Sequence, residues 1–357
     1  MNKRRKILVI SLVALLVAGA AIAFLLHRAV FSCNIQDQSY DYWITTDKEI
    51  AFQKYIYIPT GSDYEDVLRI LDENKVLKNK KSFDWIAKIK NYPHRIRSGK
   101  YRIDRKMSNN DLINRLRSGN QEAVDFTFNN IRTKEQFAKR VSEQLEMDAS
   151  DLLDLLNDND FLAAYQVNFQ TALTIFIPNT YKVWWNTSAE DFVQKMYREY
   201  EKFWTAERKE KVAAISLTPT EVIILASIVE EENHRRDEQS RIAGVYINRL
   251  KMGMPLQADP TLKFAWNDFA ITRVLNHHKE INSPYNTYKI TGLPPGLIRI
   301  PSPSCVDEVL NYEKHNYLYM CAKEDFSGYH NFAATLSQHN ANAAKYHNAL
   351  NQLRIKN

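Results

Sequence analysis

The segment LTPTEVIILASIVEEENH, residues 217–234, predicts a helix with a well-marked start and an acidic end. Thr218 is the expected N-cap, Pro219 presets the first helical residue, and Glu221 completes a capping box three positions after Thr218. A nearly unbroken apolar run follows and leads into three consecutive glutamates. Because the start is so well marked, helical geometry can be applied to these glutamates.

The three glutamates are not equivalent on such a helix. Glu232 follows Val229 by three positions and Leu225 by seven, so it continues their apolar stripe. Glu230 and Glu231 lie nearer the edges of the stripe and are expected to be more open to water. Desolvation raises the pKa of a carboxyl group on an apolar face, which suits it to act as a general acid near neutral pH. Glu232 is therefore the candidate acid.

The alternative for Glu232 is a structural salt bridge with an arginine that follows the helix. The candidate partners are Arg235, Arg236 and Arg241. A metal site is a further alternative, because Glu231 and His234 have the spacing of helical ligands. The zinc-protease signature, however, requires two histidines that flank a glutamate, and the segment lacks that arrangement. We expect neither a metal ion nor a cofactor.

A glycosidase with two carboxylates would need a second acid at a definite separation from Glu232. Asp259, in the segment QADPT, is the best candidate, although an Asp-Pro pair also commonly forms a turn. One protonated carboxyl group without an obvious partner indicates glycosidic cleavage by a route that needs a single acid.

Composition limits the other classes of function. The 357 residues suffice for two domains and an anchor, and 45% apolar with 25% charged residues predicts a folded chain. The net charge of +6 suits an acidic polymer or a membrane surface, but it is diffuse and no nucleic-acid-binding motif accompanies it. We therefore expect no nucleic acid partner.

The N-terminus predicts a membrane anchor. Residues 7–26 form a run of 20 uncharged residues, preceded by a basic stretch within residues 1–6. The positive-inside rule then places residues 1–6 in the cytoplasm and everything after residue 26 outside the cytoplasmic (inner) membrane of a bacterium. The alternatives are a cleaved signal peptide or a lipoprotein site, which the segment VFSC ending at Cys33 faintly resembles.

Two other cysteines, Cys305 and Cys321, leave two interpretations open. In an oxidising compartment they could pair, and otherwise they are two buried thiols.

The chain after the anchor divides into three regions. Residues 27–51 predict a polar linker, residues 52–125 a compact βα module, and residues 126–357 a mixed α+β domain. In the module, Ser62 is the expected N-cap of one helix, and another helix runs from its cap at Ser108 to Gly119. The module has no cluster of catalytic or metal-binding side chains, which indicates binding or spacing. Its basic residues could face an anionic polymer or water. They are Lys88, Lys90, Arg95, Arg97, Lys100 and Arg102.

Four segments taken together resemble the endolytic murein transglycosylases, the MltG or YceG-like family. They are LASIVEEENH (225–234), VYINRLKMGMPLQADPTLKFA (245–265), SPYNTYKITGLPPG (283–296) and YLYMCAKEDFSGYHNFAATLSQHN (317–340). The resemblance extends over roughly residues 1–350 and implies an α+β fold: an N-terminal transmembrane helix, a small LysM-like βα module and a mixed α+β catalytic domain. A departure is Asn179 in the segment PNTY, where the family often has an aspartate.

The resemblance implies a lytic transglycosylase that cuts nascent peptidoglycan strands between N-acetylmuramic acid and N-acetylglucosamine. The sugar's own 6-hydroxyl attacks instead of water, so the strand ends in 1,6-anhydro-N-acetylmuramic acid and stops growing. A single carboxyl group then suffices, first as acid and then as base. The family's catalytic glutamate is the second acid of an E-x-E element, which matches Glu232, and Glu230 would support it. Peptidoglycan synthases are candidate partners.

The resemblance also implies residues that orient the sugar and its N-acetyl group. They are Gln257, Asp259, Tyr285, Asn286 and Tyr288. His330 is a further candidate contact, although a histidine in a polar loop could be structural. The segments YNTY and GLPPG could instead mainly hold loop shape. Two rival functions stay open: a non-catalytic scaffold that binds strands through the module, and a hydrolytic muramidase that uses Asp259 as base.

Overall fold

The computed structural model describes residues 3–36, 53–233 and 235–356. The chain forms two compact units. The first contains Met1–Asp125, Gln144–Glu146 and Lys182–Thr187, and the second contains Phe126–Glu143, Met147–Tyr181 and Ser188–Asn357. The described residues combine helices with two-stranded sheets, which confirms the predicted α+β class.

Up to residue 127 the chain alternates helices with short strands. The elements are α1 (Lys3–Phe31), β1 (Gln53–Ile58), α2 (Tyr64–Glu73), α3 (Lys80–Ile89), β2 (Gly99–Asp104), α4 (Asn109–Ser118) and β3 (Val124–Thr127). Strands β1 and β2 pair antiparallel, with Ile56 opposite Tyr101. Both side chains are buried with apolar residues of α2, α3 and α4, because alternate residues of each strand point into this core.

Helix α1 is long and apolar enough to cross a membrane, and its apolar window has no buried residues. It runs on to Phe31, and Asn34 and Ile35 just beyond it are buried in the first unit, where the sequence indicated the start of the linker. Asn109 holds these last turns, since its side chain donates to the carbonyl of Ala29 at 2.8 Å. The predicted linker from residue 37 to residue 51 lies outside the described residues.

The helix caps of the first unit correct one prediction. The N-cap of helix α2 is Asp63 rather than Ser62, since the Asp63 carboxylate accepts from the Asp66 N–H at 2.9 Å and the Asp66 carboxylate accepts from the Asp63 N–H at 3.2 Å. Serine and aspartate are similarly good caps, so the sequence did not separate two adjacent candidates. Helix α4 is capped by Ser108 and ends at Gly119 in the left-handed conformation, as predicted.

The rest of the chain is mainly helical. Its elements are α5 (Lys134–Ser142), α6 (Ala149–Leu155), α7 (Asn159–Ala163), β4 (Thr180–Val183), α8 (Ala189–Phe203), α9 (Ala206–Ala214), α10 (Pro219–Glu232), α11 (Arg236–Lys251), α12 (Asp259–Ala265), α13 (Pro303–Leu310), β5 (Tyr319–Ala322), β6 (His330–Ala333) and α14 (Leu336–Lys356). Strand β3 lies in a sheet with β4, and β5 pairs antiparallel with β6.

Helix α10 is the centre of the second unit. It begins with the predicted capping box of Thr218 and Glu221. Every residue from 222 to 229 is buried, so the helix is covered on all sides rather than along one stripe. Neighbouring helices α11, α12 and α13 pack against it, and a helix surrounded in this way is apolar all round. Its acidic end is consequently enclosed by other parts of the unit.

The described cysteines are all free thiols. Cys305 is buried on α13 and its thiol lies 3.4 Å from the carbonyl of Ala226, whereas Cys321 lies on β5. The two thiols are thus unpaired, but only Cys305 is buried as expected, since Cys321 is half-buried.

Candidate active site

Glu232 is the last residue of α10, and its carboxylate is held by one phenol. The hydroxyl of Tyr246, buried on α11, donates to Glu232 Oε1 at 2.6 Å. The expected alternative, an ion pair with a following arginine, is absent among the described residues. Each of those arginines is engaged elsewhere: Arg235 with the Ser327 carbonyl, Arg236 with Glu308 and Arg241 with Glu313.

The surroundings of Glu232 set its acidity. Its pKa is raised to about 7, chiefly by burial and in part by the negative charge of Asp259, while the hydrogen bond from Tyr246 acts in the lowering direction. The charges of His330 and Lys263 act to lower it. Glu232 as a whole residue is half-buried. A carboxyl group with a pKa near 7 can both donate and accept a proton at neutral pH.

Glu231 and Glu230 are enclosed by cations instead. Glu231 Oε1 accepts from Arg132 at 2.8 Å and from Arg299 at 2.7 Å, and its side chain is 15% exposed. The prediction that Glu231 faces solvent is therefore wrong, because Arg132 and Arg299 cover its carboxylate. Glu230 accepts from the Ser302 hydroxyl at 2.5 Å and lies 3.5 Å from Arg299 Nε.

Asp259 is the first residue of α12 and is followed by Pro260, so the Asp-Pro pair begins a helix. Its Oδ1 accepts from the Tyr288 hydroxyl at 2.5 Å. Burial and the Asp259 charge both raise the pKa of Tyr288, so this phenol stays protonated. The Lys279 ammonium lies 4.7 Å from the centre of the Tyr288 ring. Asp259 and Tyr288 thus form a second hydrogen-bonded pair whose charge acts on Glu232.

Gln257 has a left-handed backbone, with φ of 55°. Its N–H donates to the Thr287 carbonyl at 2.9 Å, and its side-chain oxygen accepts from Arg249 at 3.1 Å. The guanidinium of Arg249 is buried and also donates to backbone carbonyls, including that of Leu318. These bonds tie the turn that holds Gln257 to the segment that holds the YNTY motif.

Asn286 is fully buried, and its amide serves the loop itself. The side-chain nitrogen donates to the carbonyls of Lys279 and Ile281, and the side-chain oxygen accepts from the N–H of Tyr288 at 3.1 Å. In this structure Asn286 holds the loop and offers no atom to a ligand. The alternative role that the sequence left open for YNTY therefore applies to this residue.

Tyr285 is partly buried, and its ring lies 4.7 Å from that of Phe264. Gly296, the last residue of GLPPG, approaches it closely, since a Cβ there would lie 2.8 Å from the Tyr285 hydroxyl and 2.3 Å from the Gln170 carbonyl. Only glycine fits at this position, which shows that the end of GLPPG serves backbone packing.

His330 begins β6 and is bound to a buried carboxylate. Its Nδ1 lies 2.8 Å from Glu238 Oε2, and its backbone N–H donates to Glu238 Oε1 at 3.0 Å. Burial opposes ionisation of Glu238, but the bonds from His330 and Asn233 outweigh it and lower the pKa of Glu238. His330 is thereby oriented by Glu238 while its charge acts on Glu232.

In the ranges that the structure describes, no group of three or more histidine, cysteine, aspartate or glutamate side chains is placed to hold a metal ion. His234, considered above as a ligand, lies outside the described residues.

These motif segments lie within a region that matches a known family. Residues 56–345 match the model of the YceG-like family. This chain belongs to the YceG-like family. The resemblance stated from the sequence is confirmed.

Two relatives of this YceG-like chain carry the same name. The chain is 30% identical over 321 residues to the endolytic murein transglycosylase of Bacillus subtilis, and the alignment covers 83% of this chain and 86% of that protein. It is 27% identical over 330 residues to the endolytic murein transglycosylase of Streptococcus pneumoniae D39, over 83% of this chain and 59% of the relative. The crystal structure of a YceG-like protein from Listeria monocytogenes is 27% identical, with a TM-score of 0.53, over 82% of this chain and 99% of that one.

Sequence reasoning missed several residues of this YceG-like site. Tyr246 and Arg249 are polar residues on the buried side of α11, which also carries Ile242 and Val245. A polar side chain at apolar spacing was the available signal. Glu238 in the first turn of α11 has the same signal, since it precedes Ile242 by four positions and Val245 by seven.

Proposed function

We propose that this YceG-like chain is an endolytic lytic transglycosylase that cleaves the bond between N-acetylmuramic acid and N-acetylglucosamine within nascent peptidoglycan. The cut strand ends in 1,6-anhydro-N-acetylmuramic acid, so its elongation terminates. The observation that carries the proposal is Glu232: one phenol hydrogen bond, no cation paired with it among the described residues, and a pKa of about 7. The relatives named endolytic murein transglycosylases support the same reaction class.

In the first step, protonated Glu232 gives its proton to the glycosidic oxygen as the bond from that oxygen to C1 of the muramic acid breaks. Tyr246 occupies Oε1, so Oε2 is the oxygen that faces the substrate. The leaving strand departs with a new hydroxyl group, and positive charge develops on the sugar ring. Burial favours the protonated form that this step needs.

In the second step, the Glu232 carboxylate takes the proton of the 6-hydroxyl while that oxygen bonds to C1. Glu232 regains its proton and no water is consumed, so one carboxyl group completes the cycle. A pKa near the working pH serves both steps, since the group must be a competent acid and then a competent base.

The other site residues have proposed roles. Asp259 raises the pKa of Glu232 and is held by Tyr288. Tyr285 and Gln257 contact the sugar, as the family resemblance implies, and His330 is a further sugar contact. Asn286 is assigned to loop shape because it is fully buried. Glu230 supports the end of α10 through its bond to the Ser302 hydroxyl and its ion pair with Arg299.

The N-terminal apolar helix is compatible with a single-pass anchor. We propose that residues 1–6 stay in the cytoplasm and that both units lie outside the cytoplasmic membrane, next to newly made strands. The LysM-like character of the module and the recruitment of peptidoglycan synthases stay predictions.

The experiment digests purified uncrosslinked glycan strands in ¹⁸O-labelled water and identifies the new ends by mass spectrometry. We expect anhydro ends without ¹⁸O from the wild type, none from Glu232→Gln, and wild-type yield from Glu210→Gln, a matched change on an exposed glutamate of α9. Reducing ends that carry ¹⁸O would favour the hydrolase that uses Asp259. Strand binding without any new ends would favour the scaffold.

A further inference from the structure

The first unit contains a cavity with a basic wall. Its volume is about 690 Å³, and its wall holds three arginines and one histidine but no carboxylate among the described residues. The polar lining residues are His94, Arg95, Arg97, Asn114, Arg117 and Ser118. A concave surface lined by charges of one sign concentrates ligands of the opposite sign. The cavity is therefore suited to an anion.

Other basic residues of the module, which were expected to face a polymer or water, are already engaged within the fold. They are Lys88, which pairs with Asp84, Lys100, which lies over the ring of Tyr55, and Arg102, which pairs with Asp104 and Glu122. Arg95 and Arg97 differ from them, since neither has an ion pair among the described residues and both are exposed. Their charges are thus available to a ligand.

Arg117 reaches the same cavity from a separate segment. It lies in the last turn of α4, and its Nη1 donates to the carbonyl of Lys90, just after α3, at 3.0 Å. Arg97 packs against the end of the same helix, because a Cβ on Gly119 would lie 2.6 Å from Arg97 Cδ. The fold therefore gathers arginines from two segments at the ends of α3 and α4.

Exposed aromatic rings lie in the same part of the first unit. Tyr57 is 43% exposed, and its ring centre lies 4.9 Å from that of Trp185. The residue after Trp185, Asn186, donates to Ser98 Oγ at 2.7 Å, and Ser98 directly follows Arg97. An exposed aromatic ring can pack against the apolar face of a sugar. Rings and cations in one region favour an anion carried by a glycan over a lipid headgroup.

We propose that this cavity binds carboxylates on the peptides of the peptidoglycan strand, while the second unit cuts the glycan. The inference rests on the proposed function, which supplies the strand. The strand peptides carry free carboxylates, and a guanidinium group binds a carboxylate through two parallel hydrogen bonds. Arg95 and Arg97 present exposed guanidinium groups for such bonds. The chain would then prefer strands that carry peptides, through contacts that the cutting reaction does not use.

The test measures the binding of fluorescently labelled, uncrosslinked strands to the full chain in detergent micelles by anisotropy. Every sample carries Glu232→Gln, here called the parent, so that strands are not cut. The test variant adds Arg95→Gln and Arg97→Gln. The matched control instead adds Lys78→Gln and Lys81→Gln, which removes the same charge from exposed residues outside the cavity. Each chain is measured with peptide-bearing strands and with strands whose peptides have been removed enzymatically.

We expect the arginine variant to bind peptide-bearing strands several-fold more weakly than the parent and the control, with a smaller difference at high salt. The parent should bind peptide-free strands more weakly than peptide-bearing ones, and the variant should bind peptide-free strands as the parent does. The comparison of the two strand types on the parent needs no substitution in the cavity, so it tests the proposal even where the variant is poorly folded.

Equal affinity of the parent for the two strand types would overturn the proposal, as would an equal loss by the variant for both types. If that equality is accompanied by loss of strand binding when phosphatidylglycerol is added to the micelles, the cavity belongs to lipid headgroups. Cleavage by the wild type is scored separately. Absence of anhydro ends there would overturn the proposed function, while the affinities would still decide whether the cavity binds the peptides.

Discussion

Glu231 and Glu232 are neighbours in one turn of α10, yet they have opposite surroundings. Glu231 is shared by the guanidinium groups of Arg132 and Arg299, both within 2.8 Å. Glu232 meets no cation at hydrogen-bond distance among the described residues and accepts one bond from Tyr246. The same side chain is a structural anion on one side of the helix and a titrating acid on the other.

This difference shows that the groups around a carboxylate, rather than its residue type, decide its role. Two arginines hold the carboxylate of Glu231 through charge-assisted hydrogen bonds. Burial instead raises the pKa of Glu232 to about 7, because the single neutral donor, Tyr246, offsets only part of its effect. Two carboxylates with such separated environments are the arrangement from which acid and base roles are assigned.

The strongest way to break the comparison is to remove the titrating acid. Glu232→Gln keeps the shape and the hydrogen bond from Tyr246 but cannot give a proton. We expect the rate of anhydro-end formation to fall by roughly 10²- to 10⁴-fold, the usual worth of general acid–base catalysis. Glycan cleavage with purified strands measures it, and near-wild-type activity would end the assignment.

Removal of the structural anion should act on stability. Glu231→Gln leaves Arg132 and Arg299 enclosed without their shared counter-charge, and we expect a loss of about 3 kcal/mol in the free energy of unfolding. Urea unfolding followed by circular dichroism measures this, with Glu210→Gln as the control. A variant as stable as the wild type would mean that the arginines do not depend on Glu231.

The pH dependence of the free energy of unfolding should test the raised pKa of Glu232. The pKa of Glu232 is raised in the folded chain from 4.5 to about 7, so the folded state binds the extra proton. The contribution of Glu232 to the free energy of unfolding is fully present below pH 4.5 and is lost as the pH rises to about 7. The free energy of unfolding of Glu232→Gln, taken relative to wild type, should therefore increase by roughly 2 kcal/mol as the pH rises from 5 to 8. A difference that is constant across this range would contradict the raised pKa.

The smallest expected effect comes from removing the hydroxyl of Tyr246. Tyr246→Phe removes a hydrogen bond that favours the ionised form, so the pKa of Glu232 should rise by roughly one unit. The basic limb of the kcat/KM profile against pH should move upwards by the same amount. A lower rate with an unmoved profile would assign Tyr246 to packing alone.

Asp259→Asn provides the opposite control for that experiment. Its charge raises the pKa of Glu232, so its removal should move the basic limb downwards. Asparagine keeps an oxygen that can accept from Tyr288, which preserves the local bond. Shifts of the same sign in both variants would indicate a general disturbance of the site.

Local features were predictable to the extent that they depend on residues a turn apart. The capping box at Thr218 and the helix from Ser108 to Gly119 were predicted correctly, because each uses contacts within a few positions. The cap at Ser62 was wrong by one residue because Asp63 is an equally good candidate. The continuation of α1 and the burial of Asn34 depend on Asn109, which is 75 residues away, so no local pattern indicated them.

The sequence by itself determined the buried helix with its acidic end and the family to which the chain belongs, and it predicted Glu232 as the acid among three glutamates. These follow from periodicity, capping and motifs, which are written along the chain. Only the tertiary structure decided the partners of those glutamates. Arg132 and Arg299 reach Glu231 from 99 and 68 residues away, and Tyr246 reaches Glu232 from the next helix. The acidity of a carboxyl group depends on what surrounds it in space, and that is set by how the helices pack.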